Sequence, residues 1–345
     1  MKNRINLKNF NIRTDLIIDE SIQKSALKSQ KISDNLSISR IEIDPTLRKK
    51  LNKKEGIYIT LEFQDITNHE DQKEIQNHLI KEMQNIITKI GMKETDPCLI
   101  IGLGNQKSTA DSLGPQVIDK IMITNHLFLL NLPIKKGIRP VAALAPGVMA
   151  NTGLETSDII LSLIQKTKPK FLIAIDALAS SSIERINKTI QITNTGIHPG
   201  SGIGNNRKEI SQETIGIPVI AIGVPTVVES SIIVNDTIDY LFKHLSYLKK
   251  HYDENKLIIS RNSNKYREKI AKEDLNPQEK EKISGMLGII TEEEKKKLII
   301  EVLSNIGYNM MVTPKEIDFL IATLSDTIAN AINHSLHQEV NDAFS

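Results

Sequence analysis

The chain has 345 residues, enough to bury a large core as one big domain with additions or as two domains. Its 44 Lys and Arg nearly balance its 42 Asp and Glu, it has no Trp, and aromatic residues make up only 4%. A net charge of +2 with so few rings supplies neither the basic surface of a nucleic-acid binder nor a platform for base stacking. The single cysteine, Cys98, excludes an intrachain disulfide and reads as a buried structural thiol at the start of a core strand. The histidines show no metal-ligand spacing, the N-terminus lacks the apolar stretch of a signal peptide, and no apolar run approaches ~18 residues. These features point to a soluble protein of a reducing, cytoplasm-like compartment, with no membrane partner.

Residues 1 to about 30 are polar and read as an extension, docked on the body or partly mobile. Leu36 to Ile43 reads as a strand whose alternation breaks near Ser39 and Arg40, where a bulge would fit. Ile57, Ile59, Leu61 and Phe63 then alternate with polar neighbours, as a half-buried strand does. Ile75, Leu79, Ile80, Met83, Ile86, Ile87 and Ile90 recur at helical spacing, and Gly91 follows as a stop.

From Cys98 to Ser230 the pattern changes. Cys98 to Leu103, Val141 to Leu144, Phe171 to Ile175 and Val219 to Val224 are short apolar runs without alternation, the signature of parallel strands buried on both faces. Helical patterns lie between them, so the expected core is an open α/β sheet. A helix is expected to begin near Ser108 to Asp111, and another behind a capping box of Thr152 and Glu155. Ile238, Leu241, Phe242, Leu245 and Leu248 stripe a further helix. Residues 249–284 are charged and poorly periodic, as an exposed insertion or linker would be. Two helices close the chain over about 291–338, one capped by Thr291 with Glu294, the other opened by Thr313-Pro314-Lys315-Glu316.

In such sheets the working groups sit just beyond the carboxyl ends of the strands. Gly102-x-Gly104 lacks the third glycine of a dinucleotide fingerprint, because position 107 is Lys. Close backbone approach explains the two glycines more simply. The run Gly200-Ser-Gly202-Ile-Gly204 is a loose candidate for a backbone nest that holds an anion. Asp111 and Asp176 each fall at or past a strand end. Either can be a helix cap, Asp111 through the spacing Ser108-x-x-Asp111. Topology sets them apart from ordinary caps, because both emerge at one edge of one sheet. Two carboxylates in a partly dry cleft cannot both ionise freely, which separates a base from an acid and suits amide hydrolysis.

The segments GIYITLEF, LIIGLGNQKSTADSLGP, APGVMANTGLET, IDALASSSIERINKTIQITNTGIHPGSGIGNNRKE and MVTPKEIDFLIATLSDTIANAINHSLH carry a resemblance to the germination protease family, and they cover most of the chain. The resemblance implies an α/β/α sandwich with a mostly parallel central sheet, like that of hydrogenase maturation proteases, with added N-terminal strands and C-terminal helices. It implies a homotetramer in the spore core, made as a zymogen that degrades small acid-soluble spore proteins without a cofactor or metal. Asp111 and Asp176 match the family's proposed pair of catalytic aspartates, although Ala110 and Ser112 replace the usual proline and alanine around the first. Arg13-Thr14-Asp15-Leu16 resembles the self-processing site, with the cut between Asp15 and Leu16, so that residues 1–15 are a propeptide and 16–345 a single protease domain with its core over 98–248. The family cleaves after an acidic residue and before a bulky apolar one. Arg185, Arg207 or Lys208 is the expected reader of the acidic residue. The rivals are a hydrogenase-maturation-type protease of the same fold, a non-catalytic anion-binding protein, and a nucleotide-dependent enzyme.

Overall fold

The computed structural model describes residues 28–51, 53–199, 208–250, 270, 273, 275–288, 290–304 and 310–338. They form two compact units, one spanning Val228–Val312 and the other built from the described residues on either side of it. The strands are β1 (Lys28–Lys31), β2 (Leu36–Ile43), β3 (Gly56–Phe63), β4 (Cys98–Gly102), β5 (Val141–Leu144), β6 (Phe171–Ser180), β7 (Thr189–Thr193), β8 (Val219–Glu229) and β9 (Met311–Val312). The helices are α1 (Pro45–Leu51), α2 (His69–Lys89), α3 (Leu113–Ile118), α4 (Asn125–Leu129), α5 (Met149–Thr152), α6 (Thr156–Thr167), α7 (Gln212–Ile215), α8 (Ser230–Lys250), α9 (Pro277–Ser284), α10 (Glu292–Ser304) and α11 (Ile317–Leu336).

In the larger unit the strands lie in the order β1-β2-β3-β7-β8-β6-β4-β5. Their side chains divide by parity, as successive residues of a strand must. Cys98, Ile100, Phe171, Ile173, Ile175, Ile220 and Ile222 face one buried cluster, completed by Ile75 and Leu79 of α2, Leu113 and Val117 of α3, and Ile321, Leu324 and Ile328 of α11. Leu99, Ile101, Leu103, Leu172, Ala174, Leu178, Val219 and Ala221 face the other, with Ile160 of α6 and Ile215 of α7. Helices thus cover both faces of the sheet, an α/β/α sandwich. Burial on both faces is why these runs show no polar alternation.

The α/β class holds, but the sheet is mixed and not mostly parallel as expected, because the added N-terminal strands and β7 pair antiparallel. Parallel pairing joins β4 to β5 and to β6. Antiparallel pairing joins β1 to β2, β2 to β3, β3 to β7 and β7 to β8. The link from β6 to β7, residues 181–188, is too short for a crossover helix, so β7 runs back against the direction of β6.

Some local expectations change. No bulge interrupts β2, which pairs with β3 in unbroken register from Leu36↔Phe63 to Ile43↔Gly56. The break in alternation arises because β2 serves two cores. Leu36 and Ile38 join the cluster beneath α2, whereas Ile41 and Ile43 pack with Tyr58 and, from α1, Leu47. Arg40, between them, bonds Glu82 of α2 at 2.5 Å. Thr152 does not cap α6: its hydroxyl donates to the carbonyls of Val148 and Leu154, so it closes α5, and Glu155 holds the cap position. Thr313 does not cap the last helix either. Its hydroxyl donates to Thr226 O at 2.8 Å, and α11 begins at Ile317.

In the smaller unit, α10 has the expected box, with Thr291 N–H donating to Glu294 at 2.9 Å and Glu294 N–H to Thr291 Oγ1 at 3.3 Å. The charged stretch before it contains α9, opened by a second box of Asn276 and Glu279 with Pro277 at its first position. Lys295, buried, pairs with Asp239 of α8 at 2.6 Å. Glu229, at the end of β8, pairs with Met311 of β9.

Candidate active site

β4 and β6 run parallel, with Ile101↔Ala174 and Gly102↔Ile175 as their last partners. One further bond, Leu103 N–H to Ile175 O at 2.8 Å, carries the pairing past the end of β4. Asp176 is the next residue on β6 and is buried, 6% exposed. It shares the parity of Leu172, Ala174 and Leu178, which assigns it to the face covered by α6. Beyond β4 the chain turns back on itself, and Thr109–Asp111 form one 3₁₀ turn before α3. The turn closes on the strand end through Asn105 N–H to Asp111 O at 2.9 Å. A Cβ added to Gly104 would stand 3.2 Å from Asp111 Oδ1. The half-buried Asp111 therefore abuts residue 104, while Asp176 follows the residue bonded to 103. The two aspartate-bearing segments meet at consecutive residues of one strand end.

The glycines make this approach possible. A Cβ at Gly102 would lie 2.3 Å from Gly114 O, and one at Gly114 would lie 2.2 Å from Leu103 O. Helix α3 is thereby seated directly on β4, and close packing accounts for Gly102. Gly104 has φ +114, where L residues are strained, and its Cβ would stand 2.0 Å from Asp111 O. The Ser108 side chain makes no cap bond at the start of this turn.

The turn is bonded throughout. Ser112 Oγ donates to Thr109 O at 2.8 Å, Thr226 Oγ1 donates to Ala110 O at 2.6 Å, and Asn105 N–H holds Asp111 O. Asn151 Nδ2 of α5 donates to Asn105 Oδ1 at 3.2 Å, which ties the segment after β5 to the same corner. Asn105, Asn151 and Thr226 were not visible as site residues in the sequence. Asn105 alone had a signal, standing directly after Gly102-x-Gly104.

The expected cations Arg185 and Lys208 have local partners. Arg185 lies in the 3₁₀ turn Ile183–Arg185 after β6, and its Nη1 donates to Ser181 Oγ at 3.1 Å. Lys208 is exposed and pairs with Asp158 of α6 at 3.1 Å. Arg207, the glycines 200–204 and the cleavage pair Asp15 and Leu16 lie outside the described residues. The bridge Ile197↔Ile210 brackets the glycine-rich stretch, and beside it Lys54 pairs with Glu209 at 2.7 Å and with Glu213. Burial lowers the Lys54 pKa, and its bonds to the two glutamates raise it by more, so it ends above the ordinary lysine value. Cys98 is buried far from this corner, at the opposite end of β4. Burial pushes its thiol well up, against a smaller opposing pull from the Arg139 charge, as befits a structural thiol.

Among the described residues no three His, Cys, Asp or Glu side chains gather as a metal-ligand group, and no helix is long and apolar enough to cross a membrane.

A sequence family described as germination protease matches residues 10–345. Similar proteins include the germination protease of Bacillus cytotoxicus, 44% identical over 99% of this chain and 97% of its own length. That of Bacillus cereus strain AH187 is 43% identical over the same shares. Among solved structures, a nickel–iron hydrogenase maturation protease from Thermococcus kodakarensis overlaps 42% of this chain and 80% of its own, at 15% identity and a TM-score of 0.26. With the family matched over nearly its whole length, the chain belongs to the germination protease family and is a peptidase.

Proposed function

We propose that the protein is a self-processing endopeptidase that begins the degradation of small acid-soluble spore proteins during germination, with Asp111 and Asp176 as its catalytic pair. One aspartate takes a proton from water as the oxygen attacks the peptide carbonyl carbon. The other gives a proton to the carbonyl oxygen. As the tetrahedral species collapses the C–N bond breaks, and the leaving nitrogen takes up the proton first removed from water. A hydroxyl of the collapsing species returns a proton to the second aspartate, leaving a carboxylic acid and both aspartates in their starting states. Two carboxyls that share a proton suit this division of labour.

The reading is supported above all by the bonds Leu103 N–H to Ile175 O and Asn105 N–H to Asp111 O, which hold both aspartate-bearing segments at one strand end. The substrate class, the removal of residues 1–15 between Asp15 and Leu16, cleavage after an acidic residue, the homotetramer and the spore-core location rest on family membership. Arg185 and Arg207 are retained as readers of the acidic residue. Lys208 is the weaker choice, since its ammonium already pairs with Asp158.

The test is Asp111→Asn and Asp176→Asn, made separately, each scored for self-removal of residues 1–15 and for hydrolysis of a purified small acid-soluble spore protein. Each variant should remain folded and lose about two to four orders of magnitude in kcat. Wild-type turnover in either one would rule out the pair.

A further inference from the structure

The turn that carries Asp111 has three carbonyls, and each accepts a hydrogen bond. Those of Thr109 and Asp111 are satisfied from nearby in the chain, by Ser112 and Asn105. That of Ala110 is satisfied from 116 residues away, by the hydroxyl of Thr226 on β8 at 2.6 Å. Thr226 is fully buried, 0% exposed, and shares the parity of Ile220, Ile222 and Val224. Its own carbonyl accepts from Thr313 Oγ1 at 2.8 Å, so a second hydroxyl fixes the strand where the first reaches out. β6, with Asp176, lies between β4 and β8 in the sheet. A bond from β8 to the turn after β4 therefore spans the strand that bears the other aspartate.

We propose that Thr226 is a positioning residue for the reaction, whose hydroxyl sets the reach of Asp111 toward Asp176 by holding the Ala110 carbonyl. This rests on the catalytic reading of Asp111. A turn tied only to its own neighbours can ride up and down on the strand end. A bond to a strand on the far side of β6 fixes its height over the sheet. Displacements of about 1 Å in a reacting group cost on the order of 100-fold in rate. The hydroxyl is also specific to the task, since an apolar residue of the same shape would fill the space and leave the Ala110 carbonyl unpaired.

The experiment compares Thr226→Val, which keeps the shape and removes the hydroxyl, with Thr226→Ser, which keeps the hydroxyl. Each is assayed on a purified small acid-soluble spore protein beside wild type and Asp111→Asn. Thr226→Val should lower kcat by about 10- to 100-fold with KM unchanged, and should move the limbs of the pH–rate profile, because the spacing of the two carboxyls changes. Thr226→Ser should restore most of kcat and the wild-type profile. If Thr226→Val does not fold, Thr226→Ala replaces it in the same comparison with Thr226→Ser. Equal kcat in the hydroxyl-bearing and hydroxyl-free variants overturns the proposal, and so does a loss of kcat with the pH limbs unmoved. An active Asp111→Asn removes the catalytic reading and this proposal together. An inactive Asp111→Asn beside a fully active Thr226→Val removes only the proposal.

Discussion

The two ends of the β4–β6 strand pair bury ionisable groups in contrasting ways. At the carboxyl end the segments that carry the buried Asp176 and the half-buried Asp111 are held by backbone bonds at a corner that the chain reaches from several separate segments. At the amino end Cys98, Arg139 and His337 are also buried, 2%, 3% and 3% exposed. There Arg139 Nη1 donates to Asp96 O at 2.8 Å, its guanidinium lies 5.1 Å from the centre of the Phe171 ring, and its backbone N–H donates to His337 Nδ1 at 3.2 Å. Those groups fasten the last residues of α11 and the start of β5 to the sheet. Burial of an ionisable side chain thus does not by itself mark a site. What distinguishes the carboxyl end is that two aspartate-bearing segments are bonded to one strand end, as the proposed proton sharing requires, whereas the amino end joins a cation, a neutral imidazole and a thiol.

Substitutions at the carboxyl end should lower turnover, with or without a loss of stability, whereas those at the amino end should cost stability and spare turnover. The largest effect belongs to the double variant Asp111→Asn with Asp176→Asn. Partners in one proton transfer do not contribute independently, so its kcat should be no lower than that of either single variant, about two to four orders of magnitude below wild type. Single losses that multiplied would show two separate roles and break the contrast. Next comes Gly104→Ala. Its Cβ would collide with Asp111 O and force a left-handed backbone onto alanine, so kcat should fall at least about tenfold and stability by roughly 1–3 kcal/mol. Kinetics and thermal melts would check both, and an active, stable variant would show that the turn tolerates movement.

The sequence carried the sheet well, because burial on both faces leaves an unmixed apolar run that periodicity detects. It was less informative where a residue's bond lies far along the chain. Thr313 has the spacing of a cap, yet its hydroxyl is taken by Thr226. Thr152 has the spacing of a capping box and closes the preceding turn instead. β8 continues past Val224 to Glu229 through Pro225, a residue that reads as a strand break but here offers only its carbonyl, which accepts from Asn187 N–H at 2.7 Å. Asn276-Pro277-Gln278-Glu279 opens α9 within a stretch that reads in sequence only as a charged insertion or linker, because the surrounding charge hides the capping signal. Asp111 and Asp176 were legible as strand-end carboxylates, whereas the partners that hold the Asp111 turn were not. A hydroxyl 116 residues away leaves no local pattern.

At the amino end, Arg139→Leu should spare kcat and cost stability. It deletes a charged bond to Asp96 O and the contact over Phe171, a loss of about 1.5–3 kcal/mol by the usual weight of such bonds. The leucine also relieves one defect, since Arg139 Nε is buried without a partner, so the lower part of that range is expected. Denaturant melts beside turnover measurements would test this. A variant of normal stability and reduced kcat would reverse the assignment of the two ends.

The smallest effect is a pH dependence at His337. Burial pulls its pKa down to about 4 from an ordinary 6.5, with the Met122 backbone opposing and the Arg139 charge reinforcing the shift. Nδ1 accepts from the Arg139 N–H, so the neutral ring keeps its proton on the buried Nε2. The folded form then binds fewer protons than the unfolded chain between pH 6.5 and about 4. Above that window the group leaves stability untouched. As pH falls through it the folded state loses ground progressively, and below about 4 the loss is complete. His337→Asn keeps an acceptor for Arg139 and removes the titration. Its melting temperature should therefore fall less steeply than that of wild type over the same window, with turnover at neutral pH unchanged. Melting curves that stay parallel from pH 6.5 to 4 would show that the imidazole is not kept neutral by its burial.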